Sequence, residues 1–364
     1  MSPLETELRR TIALNGPVTL ERYMELALTH PVHGYYTTRD PLGAGGDFVT
    51  APEISQMFGE LIGLWAAEVW AQMGAPTPLL LVELGPGRGT LTADALRAAQ
   101  VSRDFNTALD IHLVEISPAL ETRQRQALAH AGSRVHWHKS IDSLPDGPAI
   151  IVANEFFDAL PVRHYVKTAR GWCERLVGLD ENDKLAFGSS AVPEPDLQIE
   201  APYGSLLEIA ATAQVLMSRL ASRIAKHGGA MLVMDYGHGQ TALGETLQAL
   251  KGHEFADPLS EPGEADLTAH VDFAALGRAA RAAGARVHGM LGQGAFLRAL
   301  GIVQRAAALK RRASSSQIVT IDAALRRLTG SGEDDMGLLF KAMGISHSDL
   351  AALPGFSALA EATG

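Results

Sequence analysis

Apolar runs and helical spacings alternate through the middle of the chain. Leu79–Leu84 is an almost continuous apolar run, which is typical of a central parallel strand buried on both faces. The predicted strands are Leu79–Leu84, Asp110–Glu115, Val135–His138 and Ala149–Ala153. Helical spacing predicts helices over residues 90–99 and 118–131. Strands that alternate with helices in this way predict a parallel sheet with right-handed crossovers.

The N-terminal part follows a different pattern. Apolar spacing predicts a helix over residues 4–30, and a capping motif at 50–53 predicts a second helix that runs to about Met73. The stretch between these helices is rich in glycine and proline. We expect its residues 43–50 to form a loop that closes over a ligand.

The second half of the chain begins with a departure from the strand–helix alternation. Residues 162–200 alternate as β-hairpins do, which predicts a β-rich insertion. Beyond it, the pattern predicts helix 205–226, strand Ala230–Tyr236, a long loop over 237–270, helix 272–283, strand Arg286–Leu291 and a mainly helical region over 293–362. The expected fold is an α/β, Rossmann-like sheet with helical N- and C-terminal additions.

The same pattern suggests three segments. Residues 1–75 are expected to form the N-terminal helices and the covering loop, and residues 76–300 the sheet core with its insertion at 162–204. Residues 301–364 form the C-terminal addition in this interpretation.

Composition and charge limit the kinds of partner that this protein can bind. The formal net charge of −10 argues against nucleic acid, whose phosphates demand basic patches, and leaves room for a cationic partner. Cys173 is the sole cysteine, so no disulfide can form within the chain. No apolar run approaches the ~20 residues of a membrane span. The N-terminal residues show no targeting pattern, so we expect a cytoplasmic protein.

The segment after the first strand carries the clearest chemistry. Gly85, Pro86, Gly87 and Gly89 form a tight turn between a strand and a helix, where side chains would block a close ligand. The spacing is G-x-G-x-G, whereas dinucleotide sites use G-x-G-x-x-G. Glu83 would repel a pyrophosphate but suits a cation. The combination favours S-adenosylmethionine over a nicotinamide dinucleotide.

Acidic and apolar residues after neighbouring strands complete the predicted cofactor site. Glu115 ends the second strand, where an acid can accept hydrogen bonds from both ribose hydroxyls. Adenine is expected near the end of the third strand. The remaining predicted cofactor residues are Ile116, Ser140, Ile141 and Asn154. An ordinary glycine-rich turn with incidental acids is the alternative.

Carboxylates after the fourth strand suggest a site for the methyl acceptor. Glu155 and Asp158 can bind a guanidinium through paired hydrogen bonds and orient one of its nitrogens. Favourable acids at a helix N-terminus are the simpler explanation. His270 and His238 are candidate proton acceptors, and loop histidines with structural hydrogen-bond partners are the simpler explanation for each.

Several segments together resemble a known family, the MidA-type protein arginine methyltransferases, which includes a mitochondrial methyltransferase that assists assembly of respiratory complex I. The matching segments are Gly46–Ser55, Val82–Gly89, Ala153–Pro161, Asp266–Phe273 and Gly292–Leu297. The resemblance implies a class I methyltransferase fold, S-adenosyl-L-methionine as cofactor and dimethylation of an arginine in a complex I core subunit.

The resemblance also assigns roles. Glu155 matches the first acid of the paired glutamates in other arginine methyltransferases. The second glutamate has no evident counterpart, so its role falls to Asp158 or to no residue. Two other functions stay open, a chaperone that binds the cofactor without catalysis and a small-molecule methyltransferase. We predict no metal site, although His136 and His138 share one strand face.

Overall fold

The structure is a computed structural model that describes residues 1–38 and 49–356. It contains two compact units, which are described separately below. The small unit comprises residues 1–48, 158–216 and 240–272, and the large unit comprises residues 49–157, 217–239 and 273–364. The three-segment division stays a prediction. Most of the expected covering loop, residues 43–48, lies outside the described residues.

Helices begin at capping residues in several places, as Ser2, Thr19, Ser55 and Ser314 show. The helices are α1 Pro3–Asn15, α2 Leu20–Thr29, α3 Tyr35–Thr38, α4 Ala51–Ile54, α5 Gln56–Gln72, α6 Thr90–Ala99, α7 Arg103–Ala108, α8 Pro118–Ala127, α9 Ala211–His227, α10 Phe273–Ala282, α11 Gln293–Ala299, α12 Ile302–Lys310, α13 Ser315–Thr329 and α14 Met336–Leu339. Short 3-10 helices cover Ala129–Arg134 and Ile141–Ser143.

Strands occur in both units. They are β1 Val18–Thr19, β2 Leu79–Leu84, β3 Leu109–Val114, β4 Val135–His138, β5 Ala149–Asn154, β6 Arg163–Thr168, β7 Gly171–Leu179, β8 Leu185–Pro193, β9 Leu206–Ile209, β10 Gly229–His238, β11 Gln248–Lys251, β12 Glu254–Ala256, β13 Asp266–Thr268, β14 Val271–Asp272, β15 Arg286–Gly292 and β16 Phe340–Ser346.

The large unit is built on a sheet in the order β15-β16-β10-β5-β2-β3-β4. Strands β10, β5, β2, β3 and β4 run parallel, and β16 lies antiparallel between β10 and β15. In this register, Leu84 of β2 lies beside Val114 of β3 and Ala153 of β5. The three strands therefore end together, and the residues that follow them meet at one edge of the sheet.

Helices α5 and α6 pack closely in the large unit. A Cβ atom at Gly63 would lie 2.6 Å from the carbonyl oxygen of Ala95, so only glycine permits this approach. Phe58 and Trp65 of α5 belong to the same buried apolar cluster as Leu113 of β3. This packing holds α6 closely against α5.

The small unit contains two antiparallel sheets and the N-terminal helices. One sheet has the order β1-β7-β6-β9 with β8 paired to β7, and the other has the order β12-β11-β13. Leu8, Tyr23 and Leu267 belong to one buried cluster in this unit. The β-rich insertion predicted over 162–204 is present as β6, β7 and β8.

The structure corrects several predicted elements. The helix expected over 4–30 is two helices, because Gly16 with φ 86° and Pro17 break it before β1. The predicted helix 205–226 starts with β9, and the loop expected over 237–270 contains β11, β12 and β13. The region expected to be mainly helical after 293 contributes β16 to the large sheet.

Candidate functional site

The glycine turn after β2 adopts a backbone that side chains rarely allow. Gly85, Gly87 and Gly89 have φ values of 59°, 54° and 81°. A Cβ atom at Gly85 would lie 2.8 Å from Cδ2 of Phe156. The amide of Gly89 donates to the carbonyl of Pro86 over 2.7 Å, which closes the turn directly before α6. The turn therefore requires glycine for both its conformation and its packing.

Glu115 is buried directly after β3 and accepts two hydrogen bonds. The Ser117 amide donates to its Oε1 over 2.7 Å, and Nε2 of Gln124 donates to its Oε2 over 3.0 Å. Burial raises the pKa of this carboxyl above its ordinary value. Buried carboxylates need such partners, so the site holds Glu115 in one orientation.

Gln124 is a site residue that the sequence reasoning missed. Its fully buried side chain also donates to the carbonyl of Gly87 over 2.8 Å and accepts from Nε1 of Trp137 over 3.0 Å. It therefore couples the glycine turn to Glu115. Its position one helical turn after the buried Leu120 was the available signal, because a polar residue on an apolar helix face needs buried partners.

Glu83 lies in the interior rather than at the open edge of the sheet. It is 5% exposed and its Oε2 accepts a hydrogen bond from the hydroxyl of Thr92 in α6. Burial raises the pKa of Glu83 to about 8. A direct contact between Glu83 and a ligand stays a prediction.

The residues expected near adenine follow the neighbouring strands β3 and β4. Ile116 is 44% exposed although it is apolar. Ser140 caps the short 3-10 helix, since its Oγ accepts from the Asp142 amide over 3.2 Å, and Ile141 is half-buried. An apolar side chain such as Ile141 suits the face of a purine ring, and a polar group of the neighbouring loop suits its amino edge.

Asn154 ends β5 with one unsatisfied polar atom. Its Nδ2 donates to Oε1 of Glu155 over 3.1 Å, but its buried Oδ1 has no hydrogen-bond partner. An orphaned buried acceptor is costly unless a ligand supplies a donor. A ribose-bearing ligand with a cationic group fits three features of this edge: the backbone at Gly85, which has no side chain, the Glu115 carboxylate and Asn154 Oδ1.

Glu155 follows Asn154 in a left-handed backbone conformation. Its φ of 49° is unfavourable for a residue with a Cβ atom, and such strain is concentrated at functional sites. Oε1 of Glu155 accepts from the amide of Ala51, the first residue of α4, over 2.8 Å. Glu53 of the same helix accepts from Oγ1 of Thr90 over 2.5 Å and pairs with Arg88 at 3.9 Å. Helix α4 therefore contacts both the glycine turn and Glu155.

Asp235 is the second residue that the sequence reasoning missed. It is fully buried in β10, and its Oδ2 accepts from the amides of Phe156 and Phe157 over 3.1 and 3.0 Å. Its Oδ1 accepts from the Tyr236 amide over 3.0 Å. An acid directly after the apolar run 230–234 was the available signal. Asp235 holds the loop that carries Glu155.

The other two candidate catalytic residues belong to the small unit. The amide of Ala269 donates to the carbonyl of Asp158 over 2.9 Å, which brings Asp158 beside the strand that precedes His270. The amide of His270 donates to Oγ1 of Thr246 over 2.8 Å. The roles of Asp158 and His270 stay predictions, as does that of His238.

Histidines cluster at the outer strands of the large sheet. Nδ1 of His112 and Nε2 of His138 are 2.9 Å apart, and Nε2 of His136 lies 3.0 Å from Oδ1 of Asp110. Desolvation lowers the pKa values of His112 and His138. Within residues 1–38 and 49–356, no group of three or more acidic, histidine or cysteine residues is arranged to hold a metal ion.

Comparison with known proteins decides the family. A family profile described as S-adenosyl-L-methionine-dependent methyltransferase matches residues 61–291. The chain belongs to this family. The methyltransferase is 42% identical to the zebrafish (Danio rerio) protein arginine methyltransferase NDUFAF7, mitochondrial, over 81% of this chain and 75% of that protein. It is 40% identical to the human protein of the same name over 83% of this chain and 74% of that protein.

A solved structure agrees with this family. A Burkholderia thailandensis protein crystallised with S-adenosyl-homocysteine superposes with a TM-score of 0.84 at 32% identity, covering 97% of this chain and 94% of that chain. The predicted class I methyltransferase fold and the cofactor S-adenosyl-L-methionine are thereby confirmed.

One expectation about location was wrong. The prediction of a cytoplasmic protein is contradicted by the curated relatives, which are named as mitochondrial proteins. In the described part of this methyltransferase, the helices are all too short or too polar to cross a membrane.

Proposed function

We propose that this methyltransferase transfers methyl groups to an arginine side chain of a protein. The observation that carries the proposal is the placement of Glu155. It follows β5 beside the glycine turn, in a strained backbone, with one carboxylate oxygen bound by the amides of Ala51 and Asn154. The names of relatives that are 40–42% identical to this chain over the aligned residues support the same acceptor.

The residues around the glycine turn bind the cofactor in this proposal. Glu115 accepts hydrogen bonds from the ribose hydroxyls, and Asn154 Oδ1 accepts from the methionyl part. Gly85, Pro86, Gly87 and Gly89 let the backbone approach closely. Ile116, Ser140 and Ile141 surround the adenine. Glu83 supports this site from beneath α6.

Glu155 acts on the acceptor. A carboxylate binds a guanidinium through two parallel hydrogen bonds and fixes its plane. The cofactor supplies a methyl group that is activated by a positively charged sulfur. Because the transfer is an in-line displacement, orientation of the attacking nitrogen accounts for much of the rate. Asp158 assists Glu155, and His270 accepts the proton that the nitrogen releases.

The acceptor protein is, in this proposal, a core subunit of respiratory complex I, whose arginine dimethylation assists assembly. This part rests on the resemblance of five sequence segments to the MidA-type family. Mass spectrometry of complex I core subunits from cells with and without the gene tests it. Unchanged arginine methylation in the two samples would contradict it.

The acceptor chemistry can be tested separately with the purified protein. We expect methyl-labelled cofactor to label proteins extracted from cells that lack the gene. After complete hydrolysis, the label should be found in methylated arginine. A label found only in small molecules, or in another amino acid, would overturn the proposal.

A further inference from the structure

The small unit contains a buried polar cluster that the proposed function does not use. The hydroxyl of Tyr36 donates to Oδ1 of Asp266 over 2.8 Å, and Asp266 is 3% exposed. Burial raises the pKa of Tyr36 well above its ordinary value, and the nearby charges of Asp266 and Asp158 raise it further. The phenol therefore stays protonated and keeps donating to a carboxylate.

Thr268 adds an unsatisfied group to this cluster. Side chains two residues apart on a strand point to the same face, so Asp266 and Thr268 of β13 share a face, and Leu267 between them joins the apolar cluster of the small unit. Thr268 is 3% exposed, and its Oγ1 has no hydrogen-bond partner. A buried hydroxyl without a hydrogen-bond partner costs about 1–3 kcal/mol of stability. We take this cost as an indication of a ligand that supplies the missing partner.

We infer that Asp266 and Thr268, supported by Tyr36, form a subsite for a guanidinium group of the protein acceptor. This inference rests on the proposed function, which it deepens by naming further residues that recognise an arginine of the acceptor protein. The carboxylate of Asp266 receives the charge-assisted hydrogen bonds, and Thr268 Oγ1 accepts one more. Asp158, whose carbonyl binds the amide of Ala269 over 2.9 Å, adds negative charge nearby.

The geometry of β13 favours a guanidinium over an ammonium. Two residues advance about 6.8 Å along a strand, which is the spacing of the backbone positions from which the side chains of Asp266 and Thr268 extend. An ammonium with two hydrogen bonds of about 2.9 Å spans less than about 6 Å. A guanidinium carries donors on three separate nitrogens and spans more. It can therefore bind both side chains at once.

Thr268→Val is the sharpest test. Valine keeps the shape of threonine and removes a hydroxyl that has no partner in the free protein, so a purely structural role predicts equal or higher stability and unchanged binding. We measure by calorimetry, with S-adenosyl-homocysteine bound, the affinity of the full chain for the peptide Gly-Gly-Arg-Gly-Gly. Matched peptides carry citrulline or lysine in place of arginine.

The inference predicts that the arginine peptide binds at least about tenfold more tightly than the other two. Thr268→Val should weaken its binding about fivefold, and Asp266→Asn about thirtyfold or more. Tyr36→Phe should weaken binding severalfold. Tyr23→Phe is the matched control, because Tyr23 also donates a buried hydrogen bond, to the carbonyl of Pro258 over 2.5 Å, outside the cluster. It should leave peptide affinity unchanged.

Failure of the subsite can be distinguished from failure of the proposed function by also measuring methyl transfer to arginine. If the wild-type protein methylates arginine but Thr268→Val and Asp266→Asn bind the arginine peptide as tightly as it does, the subsite is overturned and the proposed function stands. If the wild-type protein methylates only another acceptor and distinguishes none of the peptides, the proposed function fails, and the subsite fails with it.

Discussion

The carboxamide of Gln124 joins Glu115 to the glycine turn. Its Nε2 donates to Glu115 Oε2 over 3.0 Å and to the carbonyl of Gly87 over 2.8 Å. The fully buried side chain of Gln124 thus fixes the position of Glu115, the proposed acceptor of hydrogen bonds from the ribose, relative to the glycine turn. The proposed cofactor site therefore depends on a residue that does not itself need to touch the cofactor.

The first prediction concerns this link. Gln124→Leu keeps the apolar packing of the side chain but leaves Glu115 and Gly87 without their shared donor. We expect the dissociation constant for S-adenosyl-L-methionine to rise about tenfold, because a hydrogen bond to a charged group contributes roughly 1.5–3 kcal/mol. Gln72→Leu, at an exposed glutamine near the end of α5, is the control. Calorimetry measures both, and equal affinities for the two variants would remove Gln124 from the site.

The second prediction tests whether the cofactor approaches the backbone at Gly85 closely. Gly85→Ala places a Cβ atom 2.8 Å from Phe156 Cδ2 at a φ of 59°. Gly74→Ala meets similar backbone strain, with φ 81°, but nothing within 4 Å. Both should lose about 1 kcal/mol of stability from strain. Only Gly85→Ala should also weaken cofactor binding, by at least about tenfold. Thermal unfolding measures the loss of stability, and calorimetry measures the loss of cofactor affinity. An equal loss of cofactor affinity in both variants would contradict a close approach of the cofactor to Gly85.

The strand and the turn around the proposed site could be predicted from sequence because their signals are local. The apolar run Leu79–Leu84 and the glycines that follow it indicate a strand and a turn wherever they occur. Strand β16 was missed because its buried residues Phe340–Ser346 do not alternate, and its partners β10 and β15 are distant in sequence. The role of Asp235 could not be predicted for a related reason, because the amides of Phe156 and Phe157 that it binds are distant in sequence.

The third prediction uses the raised pKa of Glu83. Burial raises this pKa to about 8 from an ordinary value of 4.5. The folded chain then holds a proton that the unfolded chain has released, so the free energy of unfolding falls as the pH rises from about 4.5 to about 8. Glu83→Gln removes this titration and keeps an oxygen for Thr92. It should be up to about 3 kcal/mol more stable than wild type at pH 7.

At pH 4 the advantage of Glu83→Gln should disappear, because both folded and unfolded wild-type chains then carry the proton. Urea unfolding of both proteins at pH 4 and pH 7 measures the difference. A stability difference that does not change with pH would show that Glu83 titrates normally in the folded protein.

The fourth prediction concerns the loop that carries Glu155. Asp235→Asn replaces a carboxylate that accepts from three backbone amides by an amide side chain with a single acceptor oxygen. We expect kcat for methyl transfer to fall at least about tenfold, with the cofactor affinity changed less than about threefold. Asp180→Asn is the matched control, because Asp180 also accepts from two amides, at 2.8 Å each, in an exposed turn. Similar rates for both variants would contradict a positioning role for Asp235.

The central claim is that Glu155 orients an arginine for methylation, and single-turnover kinetics with Glu155→Gln tests it most directly. The enzyme is loaded with labelled S-adenosyl-L-methionine and mixed with an arginine-bearing acceptor, and methylarginine is measured over time. The account predicts a rate at least about 100-fold below wild type, with the dissociation constant of the cofactor unchanged within about threefold. A Glu155→Gln enzyme that forms methylarginine at the wild-type rate would contradict it.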